Sequence, residues 1–278
     1  MAYKTILVHA DMSIHAPDRI RCAATLARLE GGHLIGLATT GVSRFMYPDT
    51  AAPLARTVAS PYAASLQSHA RQALDQFAAL AREAAVSSFE PRLVADDPEG
   101  GLVLMSRYAD IVVLSQTDPA RQVAGVVREL PEFVMLNIAR PVLLVPYAGG
   151  PYELSGDALV AWDGSIEAAR AIGHALPLLR RASGVAIAQF ESGGQGELAA
   201  QALDLARWLG RHGINATTVH EQHVDIGEGG ALLSMVADLQ AGLLVMGGYG
   251  HTRLRELLLG GVTRTILDSM TVPVLMAH

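Results

Sequence analysis

Short apolar runs alternate with longer stretches whose apolar residues recur every three or four positions, and the alternation runs through most of the chain. It is clearest in the second half. Residues 158–163, ALVAWD, read as a strand. A helix from Ser165 carries Ile166, Ala169, Ile172, Leu176 and Leu179 at helical spacing, with Pro177 expected to kink it or loosen its end. Next come a strand near 184–190, a helix near 195–212, a strand near 214–220 and a helix near 229–240. A strand at 242–247, a helix from about 261 and a last strand at 272–277 complete the series. Uniformly apolar strands alternating with helices imply a parallel sheet covered on both faces.

The pattern occurs twice. Ala109 to Ser115 (ADIVVLS) resembles Ala241 to Gly247 (AGLLVMG), and Pro141-Val142-Leu143-Leu144 resembles Pro273-Val274-Leu275-Met276. The two members of each repeat are separated by 132 positions. The opening strands, Ile6 to Asp11 and Ala158 to Asp163, are instead 152 apart, so the first half holds about 20 extra residues. These fit Thr39 to Tyr62, TTGVSRFMYPDTAAPLARTVASPY, whose Gly, Pro and Ser content and poor periodicity predict a long surface loop. Tyr147 to Pro151 (YAGGP) reads as a linker, giving domains at 1–147 and 155–278. Each is expected to be a small doubly wound parallel-sheet α/β domain, binding ligands beyond the carboxyl ends of its strands where strand order reverses. Each half ends in a hydrophobic strand, 141–145 and 273–277, which would lie at a sheet edge and needs covering or pairing.

Bulk properties narrow the function. The 278 residues suit two domains, and 50% hydrophobic content is ample for packed cores. A net charge of −6 argues against broad attraction to nucleic acid or anionic membrane. The single cysteine, Cys22, excludes an intrachain disulfide and a cysteine zinc cluster. No run approaches the roughly 18 apolar residues of a membrane span. The N-terminus reads as a strand rather than a signal peptide, so the expected location is cytoplasmic.

The candidate chemistry lies in Gly247 to Leu267, GGYGHTRLRELLLGGVTRTIL. Gly247, Gly248 and Gly250 follow the fourth strand of the second half, and Gly260-Gly261 precede a helix from about Val262. Bare backbone permits close approach, and free amides at a helix start suit an anion. Asp163-Gly164-Ser165 ends the first strand of the same half and would be a neighbour across the switch point. Each feature has a plainer reading: a glycine pair as a turn or helix cap, Asp163 as an N-cap. Their combination favours a nucleotide groove.

Gly247, two residues, Gly250, nine residues and Gly260 resemble the universal stress protein signature, as does the flanking VMGGYG…LLLGGVTRTIL…VPVL. With the repeat, the chain resembles a tandem universal stress protein. That resemblance implies two Rossmann-like, adenine nucleotide alpha hydrolase-like domains packed as a pseudo-dimer through their terminal strands, with a homodimer of chains and a protein partner left open. It also implies ATP or AMP, with or without Mg2+, in the second domain. Ala161, Trp162 and Asp163 would face adenine and ribose, Phe190 would lie against the base, and Met246 and Gly247 would close the base pocket. Gly250, Gly260, Gly261, Val262 and Thr263 would cradle the phosphates, with His251 and Arg253 adding charge. One position departs: Gly261 stands where the family has Ser or Thr. Losing a hydrogen bond to a charged phosphate costs about 1.5–3 kcal/mol, roughly ten- to a hundredfold in affinity. In the first half the corresponding positions are Ser115, Asp118, Arg128 and Glu129, so that copy is expected to be degenerate and nucleotide-free.

Other motifs fail. Gly36 to Ser43 (GLATTGVS) imitates a P-loop but has Val42 in place of lysine. His220 and His223 fall at a strand end rather than on a helix, so no metal site is expected. Three functions remain: a nucleotide-binding regulatory or stress-response protein with at most slow ATPase activity, an interaction module with a vestigial site, and a nucleotide-using transferase, for which no acid, base or metal ligand is apparent.

Overall fold

The computed structural model describes residues 2–41, 53–121, 130–190, 197–221, 227–249 and 261–278. The chain divides into two compact units, one comprising 2–115 with 123–140 and the other 116–122 with 141–278.

In the first unit the order is β1 (Thr5–His9), α1 (Ala16–Glu30), β2 (His33–Thr39), α2 (Pro53–Glu83), β3 (Phe89–Val94), α3 (Pro98–Ser106), β4 (Ile111–Ser115) and α4 (Leu130–Asn137). The strands lie in the order β3-β2-β1-β4, all parallel. Ile6, Leu7 and Val8 of β1 are fully buried, because helices cover both faces and neither can be polar. The main departure from expectation is α2. Its first turns occupy Pro53 to Tyr62, the back half of the expected loop. The Ala-, Leu- and Arg-rich sequence has high helix propensity, and Pro53 sits at the helix start, where a missing N–H costs nothing. Pro61, which suggests a loop, lies within the helix.

The second unit contains β5 (Val142–Val145), β6 (Ala158–Ala161), α5 (Ile166–Leu179), β7 (Val185–Phe190), α6 (Glu197–Arg211), β8 (Ala216–Glu221), α7 (Gly227–Asp238), β9 (Leu243–Gly247), α8 (Val262–Ser269) and β10 (Val274–Ala277). Strand order is β5-β10-β9-β6-β7-β8. All neighbours are parallel except β5, which runs antiparallel to β10 with Leu143 opposite Leu275. The terminal strands of the two repeats therefore pair with each other. β5 belongs to the first repeat by sequence but packs with the second unit. Gln116 reinforces it: its N–H donates to the Val145 carbonyl (2.8 Å), its side-chain amide donates to the Leu267 carbonyl (2.8 Å), and its Oε1 accepts from the Tyr147 N–H (3.2 Å).

Helix α5 presents a different face from the one its larger residues suggest. Ile166 is 66% exposed, and Ala169 also faces outward. The buried stripe is Ala168, Ala171, Ile172 and Ala175, continuing to Leu178 and Leu179. Alanines let the helix approach β9 and β10 closely. Pro177 is accommodated near its end, and the helix stops at Leu179.

Candidate functional site

In the second unit β6→β7→β8 runs to one side while β9 and β10 return on the other, so the topological switch point lies between β6 and β9. Val160 is in register with Val245. Ala161 to Asp163 and Met246 to Gly248 therefore emerge side by side at the carboxyl edge. β7 flanks β6 with Ala188 opposite Ala161, which puts Phe190 on the same edge.

Trp162 continues the ladder, its N–H donating to the Ala188 carbonyl (3.0 Å). Its indole Nε1–H is buried and has no hydrogen-bond acceptor, an arrangement that normally costs free energy. Asp163 is exposed and does not cap the helix. Its Oδ1 accepts from the Ser165 N–H (2.9 Å) in a tight turn through Gly164, whose φ is +77°. Ser165 is the N-cap, its Oγ accepting from the Ala168 N–H (3.1 Å).

Gly247 has a packing role. A Cβ there would lie 2.6 Å from the Ala168 nitrogen and 2.9 Å from the carbonyl carbon and Cβ of Glu167. The glycine is thus required by the contact between the end of β9 and the first turn of α5, whatever else binds nearby. Beyond it, the Gly248 N–H donates to the Ala277 carbonyl (2.9 Å), and the Gly248 carbonyl faces His278 Nδ1 at 3.0 Å. His278 was not singled out by its sequence context, because a terminal residue carries no periodic signal. Tyr249 has φ of +56°, and its N–H donates to Thr263 Oγ1 (3.3 Å). Thr263 is buried and joins the segment after β9 to the first turn of α8. Gly261 is the N-cap of α8 and has no side chain to cap it, so among the described residues no side chain accepts from the first-turn amides. Gly250, His251, Arg253 and Gly260 lie outside the described residues. The described residues from 161–163, 190, 246–247 and 261–263 come from four separate segments at the carboxyl side of one sheet.

The matching place in the first unit is built differently. Its switch point falls between β1 and β4 and is closed by Arg19 of α1, which is 3% exposed. Arg19 donates from Nε to the His9 carbonyl (2.8 Å), from Nη1 to Ser115 Oγ (2.7 Å) and from Nη2 to Asp11 Oδ1 (3.0 Å). Ser115, the counterpart of Gly247, thus spends its hydroxyl on the guanidinium. Burial alone would raise the Asp11 carboxyl, but Arg19, then His9 and the two Ser13 donors, hold it well below the usual carboxylate range. Burial pushes His9 down to about 4, against the opposing pull of Asp11, whose Oδ2 lies 3.4 Å from His9 Nδ1. Burial pushes the Cys22 thiol up to about 12, which leaves it no thiolate for nucleophilic chemistry at neutral pH. Among the described residues no cluster of His, Cys, Asp and Glu is arranged to hold a metal, and no helix is long and apolar enough to cross a membrane.

Residues 156–278 match the model of the universal stress protein family. No curated protein matches the chain. A universal stress protein from Archaeoglobus fulgidus DSM 4304 superposes with a TM-score of 0.76 at 17% identity, covering 98% of this chain and 95% of that one. A functionally unknown protein from Pseudomonas aeruginosa PAO1 gives 0.60 at 16% identity, covering 99% of this chain and 92% of its own. At these identities the likeness establishes the fold.

Proposed function

We propose that residues 156–278, which match the universal stress protein model, bind an adenine nucleotide, ATP or AMP, as a regulatory ligand. The observation that carries the reading is the start of α8, which no described side chain caps, beside the switch point. Backbone amides without an internal acceptor, at the positive end of a helix, suit a phosphate. The buried, unsatisfied Trp162 Nε1–H at the end of β6 supplies a donor for the base or ribose. Asp163 is exposed, and its Oδ2 remains available beyond the Ser165 turn.

In this reading Ala161, Trp162, Asp163, Phe190 and Met246 contact the nucleoside, while Gly261, Val262 and Thr263 present their amides to phosphate. Gly250, His251, Arg253 and Gly260 would complete the cradle. Gly247 shapes the pocket by letting β9 and α5 meet. Thr263 holds the Tyr249 segment, so a ligand on the α8 amides is coupled to the backbone leaving β9. That coupling is the route by which occupancy would reach a partner surface. The hydroxyl missing at Gly261 predicts affinity roughly ten- to a hundredfold below that of a complete site.

A second reading, an interaction module with a vestigial site, draws on Gly247. Packing alone explains that glycine, so its presence does not by itself testify to a ligand. One experiment separates the two. The protein is purified and denatured, and the supernatant is chromatographed for released nucleotide, with calorimetric titration of ATP and AMP alongside. Binding in wild type and its loss in Gly250→Val support the regulatory reading. Blank results in both release and titration leave the interaction module.

A further inference from the structure

The first unit contains a cavity of about 450 Å³ over the carboxyl ends of β1 and β2, away from the Arg19 cluster's closed side toward β4. Its size falls within the range of small-molecule sites, and its place is where parallel sheets bind ligands. His9, Asp11, Thr39 and Thr40 supply polar groups from the strand ends, and Leu66, Ala70 and Ala73 form an apolar wall on α2. We infer that this cavity is a second ligand site, selective for an uncharged, mostly apolar small molecule with hydrogen-bonding groups along one edge, and that it rejects phosphorylated compounds. The inference is independent of nucleotide binding in the second domain.

Charge bookkeeping decides the ligand class. No Lys or Arg is among the described residues lining the cavity. The nearby guanidinium, Arg19, is buried and committed to His9, Asp11 and Ser115. The Asp11 carboxylate is neutralised by that ion pair, so the polar edge presents dipoles and no net charge. Among the described residues, a phosphate entering here would give up water without gaining a lysine or arginine, and the imidazole of His69 lies out on the exposed rim. An uncharged heteroaromatic or amide-bearing molecule finds donors and acceptors on Thr39, Thr40 and His9, and apolar surface on α2. The edge is preorganised: Ser13 N–H (3.0 Å) and Oγ (2.6 Å) and Arg19 (3.0 Å) all fix Asp11 Oδ1.

The hollow is also written into the helix. Ala70 and Ala73 pack with Ala38 of β2 in a cluster of small side chains, with Leu74 and Leu93 at its margin. A leucine at 70 or 73 would project into the space that the cavity occupies.

The test uses the full-length chain and two matched pairs of probes: benzimidazole with benzimidazole-5-carboxylate, and adenosine with AMP. Affinity is read by ligand-observed NMR, and location by hydrogen exchange over residues 9–12 and 39–41. The second-domain variant Gly250→Val serves as background, so that failure of the second-domain site cannot be mistaken for failure of this one. We expect at least one uncharged probe to protect both segments and to bind at least tenfold more tightly than its anionic partner. Ala70→Leu should abolish that protection. His69→Trp, on the exposed rim, should weaken it in a variant that keeps its fold. Absence of protection by both uncharged probes overturns the inference, as does equal binding of the anionic partners. So does unchanged binding in both folded variants.

Discussion

Replacing Gly247 by alanine adds one methyl group at the end of β9, and the structure fixes what that methyl meets. Its nearest neighbours are backbone atoms of α5: the Ala168 nitrogen at 2.6 Å and the Glu167 carbonyl carbon at 2.9 Å. Comfortable contact needs about 3.5 Å or more, so the strand end and the helix must separate by roughly 0.9 Å to admit it. No rotamer change relieves a backbone clash. Overpacking of this kind costs about 1–3 kcal/mol. For a domain of this size each kcal/mol moves the midpoint by about 2–4 °C, so Gly247→Ala should melt about 2–12 °C lower. Gly173 supplies the control. It lies in α5, and a Cβ there meets nothing within 4 Å. Gly173→Ala should therefore stabilise by about 0.5–1 kcal/mol through helix propensity and reduced freedom of the unfolded chain. The same chemical change thus has opposite signs at the end of β9 and on the exposed face of α5. Both tryptophans, Trp162 and Trp208, belong to the second unit, so tryptophan fluorescence during thermal and urea unfolding reads the relevant domain. A Gly247→Ala protein as stable as wild type, yet unable to bind nucleotide, would refute the packing argument and return the glycine to the ligand.

Two further predictions concern the first unit. The folded His9 value of about 4 lies below its ordinary 6.5, so the unfolded chain binds the extra proton. The stabilisation, about 3 kcal/mol at full extent, is present above pH 6.5 and declines as pH falls toward 4. Urea unfolding from pH 7 to 4.5 should show this slope in wild type and a flatter one in His9→Gln; equal slopes would count against a buried neutral imidazole. Arg19→Met removes the partner of Asp11 and three hydrogen bonds. It should cost about 3 kcal/mol, the low end for a broken buried pair because Asp11 is partly exposed. Asp11→Asn added to it should cost little more, as measured by circular dichroism in urea. Additive losses would mean that the two side chains act separately.

Much of this architecture is written in local sequence. The order of β6 to β10 and their helices follows from apolar periodicity, because strand and helix spacings are properties of neighbouring residues. The repeat offsets point to two α/β halves, and the chain does divide into two compact units, though β5 falls in the second; the apolar terminal strands anticipate the β5–β10 pair. Ala161, Trp162, Asp163, Phe190, Met246 and Gly247 were legible as one edge, since parallel topology brings strand ends together. What sequence could not supply depends on distances between elements. The burial of Ala168 and Ala171 instead of Ile166 reflects how closely α5 meets β9, which hydrophobicity does not encode. The same proximity gives Gly247 a packing role that its place in a glycine motif does not reveal. The plainer reading of Asp163 as an N-cap fails because the chain turns at Gly164 and Ser165, two residues on, caps the helix. The helix within 39–62 was hidden because Pro61 and the nearby Ser and Gly read as breakers, whereas the segment from Pro53 is the start of the long Ala-rich helix α2. The cavity of the first unit belongs wholly to this second class. His9, Thr39 and Ala70 come from separate segments, and only folding sets the space between them.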